Sequence, residues 1–344
     1  MRNEITTKLI SFEDILSAEC VRIDEIIEII EKSFVAYKNG KIILPEKISQ
    51  VFDEKSQNRI NCMPTTLIEE NVCGMKWVSV FPNNPQLFNC QNISGVIILS
   101  SLENGFPIAI MDGAFITALR TACVGATAAK HLANKNSKVY ATIGTGEQAK
   151  MHFITIKNQI PSIKVCKVAS RKSESEKRFI DEMKKRYPEV DFIALNSDFD
   201  KVAKDADIIV TAVSCQAPLL RAKNIKEGAF YCHVGGWEDE YEVPLKANKI
   251  VCDSWEAVKH RTQTISRLFK QGILSDSDIY SDIADIIDKT VPGRENETEF
   301  IYFNSVGLAF LDVAIANDIY KKAVSKGKFK EWTIQNTSFL KFFN

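Results

Sequence analysis

The alternation of apolar and polar positions changes character along the chain. IDEIIEIIEKSFVAYKNGK (23–41) sets Ile and Phe at helical spacing and ends in Asn-Gly, which predicts an amphipathic helix with a glycine stop. RINCMP, CGMKWVSVF and SGVIILSS follow as strand-like runs. Glu103-Asn104-Gly105 joins the last of them to FPIAIMD, which predicts a β-hairpin. The first ~110 residues therefore read as a helix laid on a largely antiparallel sheet. GAFITALRTACVGATAAKHLAN (113–134) is a long helix with one side of Ala, Gly and Thr, suited to close packing. Beyond it the texture changes. KVYATI, KVCKVAS, ADIIVTAVS, GAFYCHVG and KIVCDSW are short apolar strands separated by helical or loop segments, the signature of a doubly wound parallel sheet. GLAFLDVAIANDIYKKAVSKG is a further amphipathic helix, expected to return to the first domain.

The fold class expected is α/β: a Rossmann doubly wound parallel sheet plus an α+β domain with a mainly antiparallel sheet. The boundaries expected are 1–125, completed by 308–344, and 126–307. The 344 residues suit two domains, and a 45% hydrophobic content is enough for two cores. Forty-four basic residues balance 44 acidic ones, so no global field draws the chain to nucleic acid or an anionic membrane, and a small-molecule partner is expected. Nine scattered cysteines without a CxxC pair suggest free thiols in a reducing compartment, and four dispersed histidines show no metal-ligand spacing. The N-terminus is too charged for a signal peptide and no apolar run is long enough to span a bilayer, so the expected location is the cytoplasm.

The strand KVYATI runs into IGTGEQA, where Gly144, Gly146 and Ala149 fill the three places of a dinucleotide-binding turn. Gly144 permits the tight turn, Gly146 lets a pyrophosphate approach, and Ala149 allows close helix–strand packing. Thr145, Glu147 and Gln148 of the same turn, and Thr211 at the end of ADIIVTAVS, are candidate cofactor contacts. The following strand ends in Ser170-Arg171 rather than the carboxylate usual for NAD, which leans the cofactor, NAD(H) or NADP(H), toward NADP(H). Arg59, Lys76 and Arg120 are cations in apolar or small-residue surroundings. Arg120 stands out, because a buried guanidinium needs an anion: a ligand carboxylate or a structural Asp or Glu.

These stretches, with FNSVGLAFLD near the C-terminus, resemble the ornithine cyclodeaminase/mu-crystallin family over nearly the whole chain. The resemblance implies an N-terminal substrate and dimerisation domain, a Rossmann domain and a homodimer. GMKWVSVFPNNP, SGVIILSS with FPIAIMDGAFI, and VPGREN followed by FIYFNSVGLAF are most similar to the siderophore-pathway branch. That branch forms 2,3-diaminopropionate by oxidising N-(2-amino-2-carboxyethyl)-L-glutamate. By this likeness Arg59, Lys76 and Arg120 bind substrate, helped by Arg294. Thr121, Asn304, Ser305 and Gly307 lie near the cofactor, and Lys76 and Glu238 are catalytic, Glu238 as general base and acid. In HVGGWEDEYEVP, Trp237 stands where a cyclodeaminase carries Asp, and Glu238 follows. The bland alternatives are an edge-strand Lys76, a solvated acidic run around Glu238, a structural His233 and a loop-capping Arg294. The rival functions are ornithine cyclodeamination or another amino-acid dehydrogenase or imine reductase, and a non-catalytic NADP(H)-binding protein.

Overall fold

A computed structural model describes residues 4–53 and 55–343. The chain forms two compact units, Met1–Arg120 with Leu308–Asn344, and Thr121–Gly307; the division falls inside the helix Ala114–Leu132.

The first unit is built on an eight-stranded sheet. Its order runs Lys330–Gln335, Ile5–Ile10, Pro107–Asp112, Ile93–Ser101, Val72–Val80, Asn58–Leu67, Ile42–Ile43, with Ile48–Asp53 also paired to Asn58–Leu67. Only the Ile5–Ile10/Pro107–Asp112 pairing is parallel, so the sheet is mainly antiparallel. The Glu103-Asn104-Gly105 hairpin forms between Ile93–Ser101 and Pro107–Asp112, with Gly105 at φ +75°. Period-two burial sends Val72, Gly74, Lys76 and Val78 to one face. The helix Ala309–Ser325 lies on that face: Ala309 packs with Met63 and Val78, and Phe310 with Phe34 and Tyr37 of the helix Ile23–Lys38. The strands Ile5–Ile10 and Lys330–Gln335 carry no clear alternation and went unread in the sequence.

The second unit holds an eight-stranded sheet, parallel throughout. Its order is Asp191–Ala194, Val165–Ala169, Val139–Ile143, Ile208–Thr211, Phe230–His233, Ile301–Asn304, Lys249–Cys252, Ser281–Asp282. The order reverses direction between Val139–Ile143 and Ile208–Thr211, which makes this the doubly wound arrangement expected. Central strands are buried on both faces, as parallel sheets require. Ile301–Asn304 is wholly buried between Phe230–His233 and Lys249–Cys252. Three apolar residues and an asparagine without periodicity do not declare themselves a strand. Gly125 of the helix Ala114–Leu132 meets the His152 ring, where a β-carbon would approach to 2.8 Å, so the small-residue side does allow close packing. Among the described residues no helix is long and apolar enough to cross a membrane.

Candidate active site

Strand alternation fixes Lys76 on the covered face of a central strand, not at an edge, and it is only 1% exposed. Its Nζ lies 2.7 Å from Oδ1 of Asp312, in the first turn of the helix Ala309–Ser325. Arg120 Nε donates to the same oxygen at 3.1 Å. Arg120 thus has the structural carboxylate that its burial called for, yet Asp312 engages only Nε and leaves the terminal Nη pair for another anion. Two cations on one carboxylate give a buried cluster of net charge +1. Burial pulls the Lys76 ammonium down to about 8; Asp312 opposes this and Arg120 adds to it. An amine titrating there can exchange protons near neutral pH. Arg59 shares the Lys76 face, four residue pairs along from the Met63–Lys76 pair, and its Nη1 donates to Gln57 O. Asp312 was missed in the sequence, where it reads as one polar residue in an apolar helix.

In the second unit the strand Val139–Ile143, the glycine turn and the helix Glu147–Gln159 follow one another as expected. Gly144 has φ +118°, and a β-carbon there would meet Ala212 O at 2.7 Å. Gly146 caps the helix with no side-chain hydrogen bond, and a β-carbon at this residue would find open space. That open approach and the free first-turn N–H groups fit a pyrophosphate. Ala149 is buried, Gln148 Oε1 is buried without a partner among the described residues, and Glu147 pairs with Lys150. At the end of Val165–Ala169, Arg171 is exposed. The nearby carboxylate of Glu176 is wholly buried and accepts from the N–H groups of Ser170, Asn196 and Ser197, so it is not offered to a ribose.

The acidic run around Glu238 is not a solvated surface. Glu238 and Asp239 are fully buried on the short strand Trp237–Asp239. The Glu238 carboxylate accepts from Thr211 Oγ1 at 2.7 Å, Val213 N at 2.7 Å and Gly235 N at 2.9 Å. It ties together the loops leaving two adjacent strands at their C-terminal ends. Thr211 is therefore turned inward, its hydroxyl shared between Tyr231 and Glu238. His233 lies between Asp239 (3.0 Å), Tyr302 (2.7 Å) and Gly236 O (2.7 Å). Burial works against its charge, but Asp239 and Glu238 outweigh it and raise its pKa to about 9. Asp253, also missed in the sequence, wraps the Ser305–Gly307 loop: its Oδ2 accepts from Ser305 Oγ, Val306 N and Gly307 N. Asn304 donates to Gln263, which in turn bonds Gly235 O and Ser305 O. Arg294 bonds the carbonyls of Leu132, Asn296, Glu299 and Ala229. With all three guanidinium nitrogens bonded to main-chain carbonyls, it holds this loop to the neighbouring strand and helix ends, as the loop-capping alternative expected.

The profile of the ornithine cyclodeaminase/mu-crystallin family matches residues 9–327. The chain belongs to that family. Among its relatives, N-((2S)-2-amino-2-carboxyethyl)-L-glutamate dehydrogenase of Staphylococcus aureus is 32% identical over 77% of this chain and 79% of its own. The solved Δ(1)-pyrroline-2-carboxylate reductase of Thermococcus litoralis, in complex with NADH and L-proline, is 29% identical with a TM-score of 0.89, covering 94% of this chain and 99% of its own. An archaeal alanine dehydrogenase dimer with bound NAD is 29% identical with a TM-score of 0.87, covering 96% and 100%.

Proposed function

We propose that this family member is a nicotinamide-dependent oxidoreductase acting on a CH–NH bond, and that it oxidises N-(2-amino-2-carboxyethyl)-L-glutamate. The products are 2-oxoglutarate and L-2,3-diaminopropionate. The observation that carries the reading is the buried Lys76–Asp312–Arg120 cluster, with its surplus positive charge and uncommitted guanidinium fork. It suits a carboxylate beside a reacting amine, and Arg59 on the same face suits a second carboxylate of this three-carboxylate substrate. The likeness to the Staphylococcus aureus dehydrogenase supports the particular substrate.

The turn at Gly144, Thr145 and Gly146, the first-turn residues Glu147 and Gln148, Ser170 with Arg171, Thr121, and the Asn304–Gly307 loop would hold the cofactor. When bound, the nicotinamide supplies the hydride acceptor. Lys76 takes the proton of the secondary ammonium, which its pKa of about 8 allows near neutral pH. Loss of hydride from the glutamate α-carbon of the neutral amine leaves an iminium, the protonated imine. Water adds, and Lys76 returns the proton to the departing amine as the C–N bond breaks. Glu238, its carboxylate already filled by three donors, braces the cofactor loops instead of serving as the base. Arg171, with Glu176 turned inward, favours NADP(H).

The test mixes the purified protein with synthetic N-(2-amino-2-carboxyethyl)-L-glutamate and NAD⁺ or NADP⁺ and follows nicotinamide reduction. Sustained reduction, faster with NADP⁺, is expected. No reduction with either cofactor removes this substrate, and ammonia release from ornithine becomes the next assay.

A further inference from the structure

Lys76, Arg120 and Asp312 do more than cancel charge. The two cations do not divide the carboxylate between them. Both converge on Oδ1, at 2.7 and 3.1 Å, while Oδ2 is buried with no hydrogen-bond partner among the described residues. Asp312 itself is 0% exposed. A buried carboxylate oxygen with empty lone pairs is unfavourable until a donor arrives. Arg120 shows the reverse condition, since Asp312 engages its Nε and leaves the Nη fork without that acceptor. An amino group and a carboxylate on one carbon carry the donor and the acceptor that these two groups lack. The strand also holds this cluster close. A β-carbon on Gly74, two residues before Lys76 on the same face, would meet Val313 at 2.7 Å, so the helix turn bearing Asp312 sits directly on the strand bearing Lys76.

We propose that Asp312 Oδ2 accepts a hydrogen bond from the reacting nitrogen of the substrate while the Arg120 fork takes the adjacent carboxylate, so that Asp312 selects the amine over the corresponding 2-oxo acid. Asp312 is then a substrate-binding residue as well as the anchor of Lys76. The proposal rests on the assignment of this cluster to substrate made above, and goes beyond it in naming which form of the substrate the cluster prefers.

The test uses two probes with the same five-carbon diacid: N-(2-amino-2-carboxyethyl)-L-glutamate, with nitrogen at the reacting carbon, and 2-oxoglutarate, with a keto oxygen there. Calorimetry on the full chain without cofactor gives both affinities with no turnover. Asp312→Asn keeps the size of the side chain but places an amide where one carboxylate oxygen stood. It is expected to weaken amine binding by roughly 10- to 100-fold, as for a lost bond to a charged group, and 2-oxoglutarate binding by less than about threefold. Asp312→Glu, which keeps the charge but displaces the oxygens, gives the same selective loss and serves if the amide variant does not fold. Equal losses for both probes, or unchanged amine binding, overturn the proposal and leave Asp312 a structural counter-ion with Oδ2 on water. If the wild-type protein binds neither probe, the substrate assignment itself falls, and the role of Oδ2 with it.

Discussion

At the scale of single residues, the chemistry follows from what burial does to charge. Lys76 is an ammonium on an inward-facing strand position, and desolvation brings it to about 8 despite Asp312. If it takes the proton from substrate, kcat/KM for amine oxidation should rise through an inflection near pH 8. Lys76→Met should lower kcat by about 10²- to 10⁴-fold with the fold intact by circular dichroism. A flat profile would assign the proton to another group. His233 is shifted the other way, to about 9 from an ordinary 6.5. A raised pKa stabilises the folded state fully below pH 6.5, and the benefit is lost as pH climbs through 9. Lys76 has the opposite linkage between about 8 and 10.5, where the unfolded chain binds more protons. Denaturant titrations should therefore show stability falling most clearly from pH 6.5 to 8, with His233→Gln removing the slope. The full His233 contribution is on the order of 3 kcal/mol.

At the scale of elements, two glycines set spacings that no side chain could. Gly74 brings the helix Ala309–Ser325 onto the strand Val72–Val80, with the stiff Val313 side chain 2.7 Å from any added β-carbon. Gly74→Ala should destabilise by about 1–3 kcal/mol, and Val313→Ala should recover much of that loss in the double variant. Additive losses in the denaturation cycle would break the link between strand and helix. Gly144 is held at φ +118° against Ala212 O. Gly144→Ala should lose NADH or NADPH binding by fluorescence titration well before it loses the parallel sheet.

At the scale of the whole molecule, one face of the antiparallel sheet is left apolar and open. Trp77 and Val96, opposite each other across neighbouring strands, are 38% and 39% exposed, and Ile48, in line with them through Cys62, is exposed as well. A monomer with such a face is prone to associate. A homodimer is our proposal, in keeping with the archaeal alanine dehydrogenase, which is a dimer. Light scattering should return twice the 38.7 kDa chain mass, and Val96→Glu should shift it toward the monomer. A wild-type monomer would leave that face without the partner proposed for it.

Elements whose physics is local were legible from the chain alone. Glycine spacing announced the Gly144–Gly146 turn, period-two patterning gave the central antiparallel strands, and helical spacing gave Ile23–Lys38 and Ala309–Ser325. Arg59, Lys76 and Arg120 stand out in the sequence as cations in apolar or small-residue surroundings, whereas Glu238 is marked only by the family resemblance. What those charges meet is set by folding, which brings distant residues together. Asp312 lies 192 positions after Arg120 in the chain, and no spacing rule could pair them. The same holds for Glu238, which looks like part of a solvated acidic run until Thr211, Val213 and Gly235 are folded around it. For Arg294 the resemblance offered a substrate helper and the residues alone a loop cap, and the four carbonyls it bonds are those of the cap. Burial and partnership are properties of contacts distant in sequence, and those contacts turned a list of charged residues into an ion cluster, a brace and a loop cap.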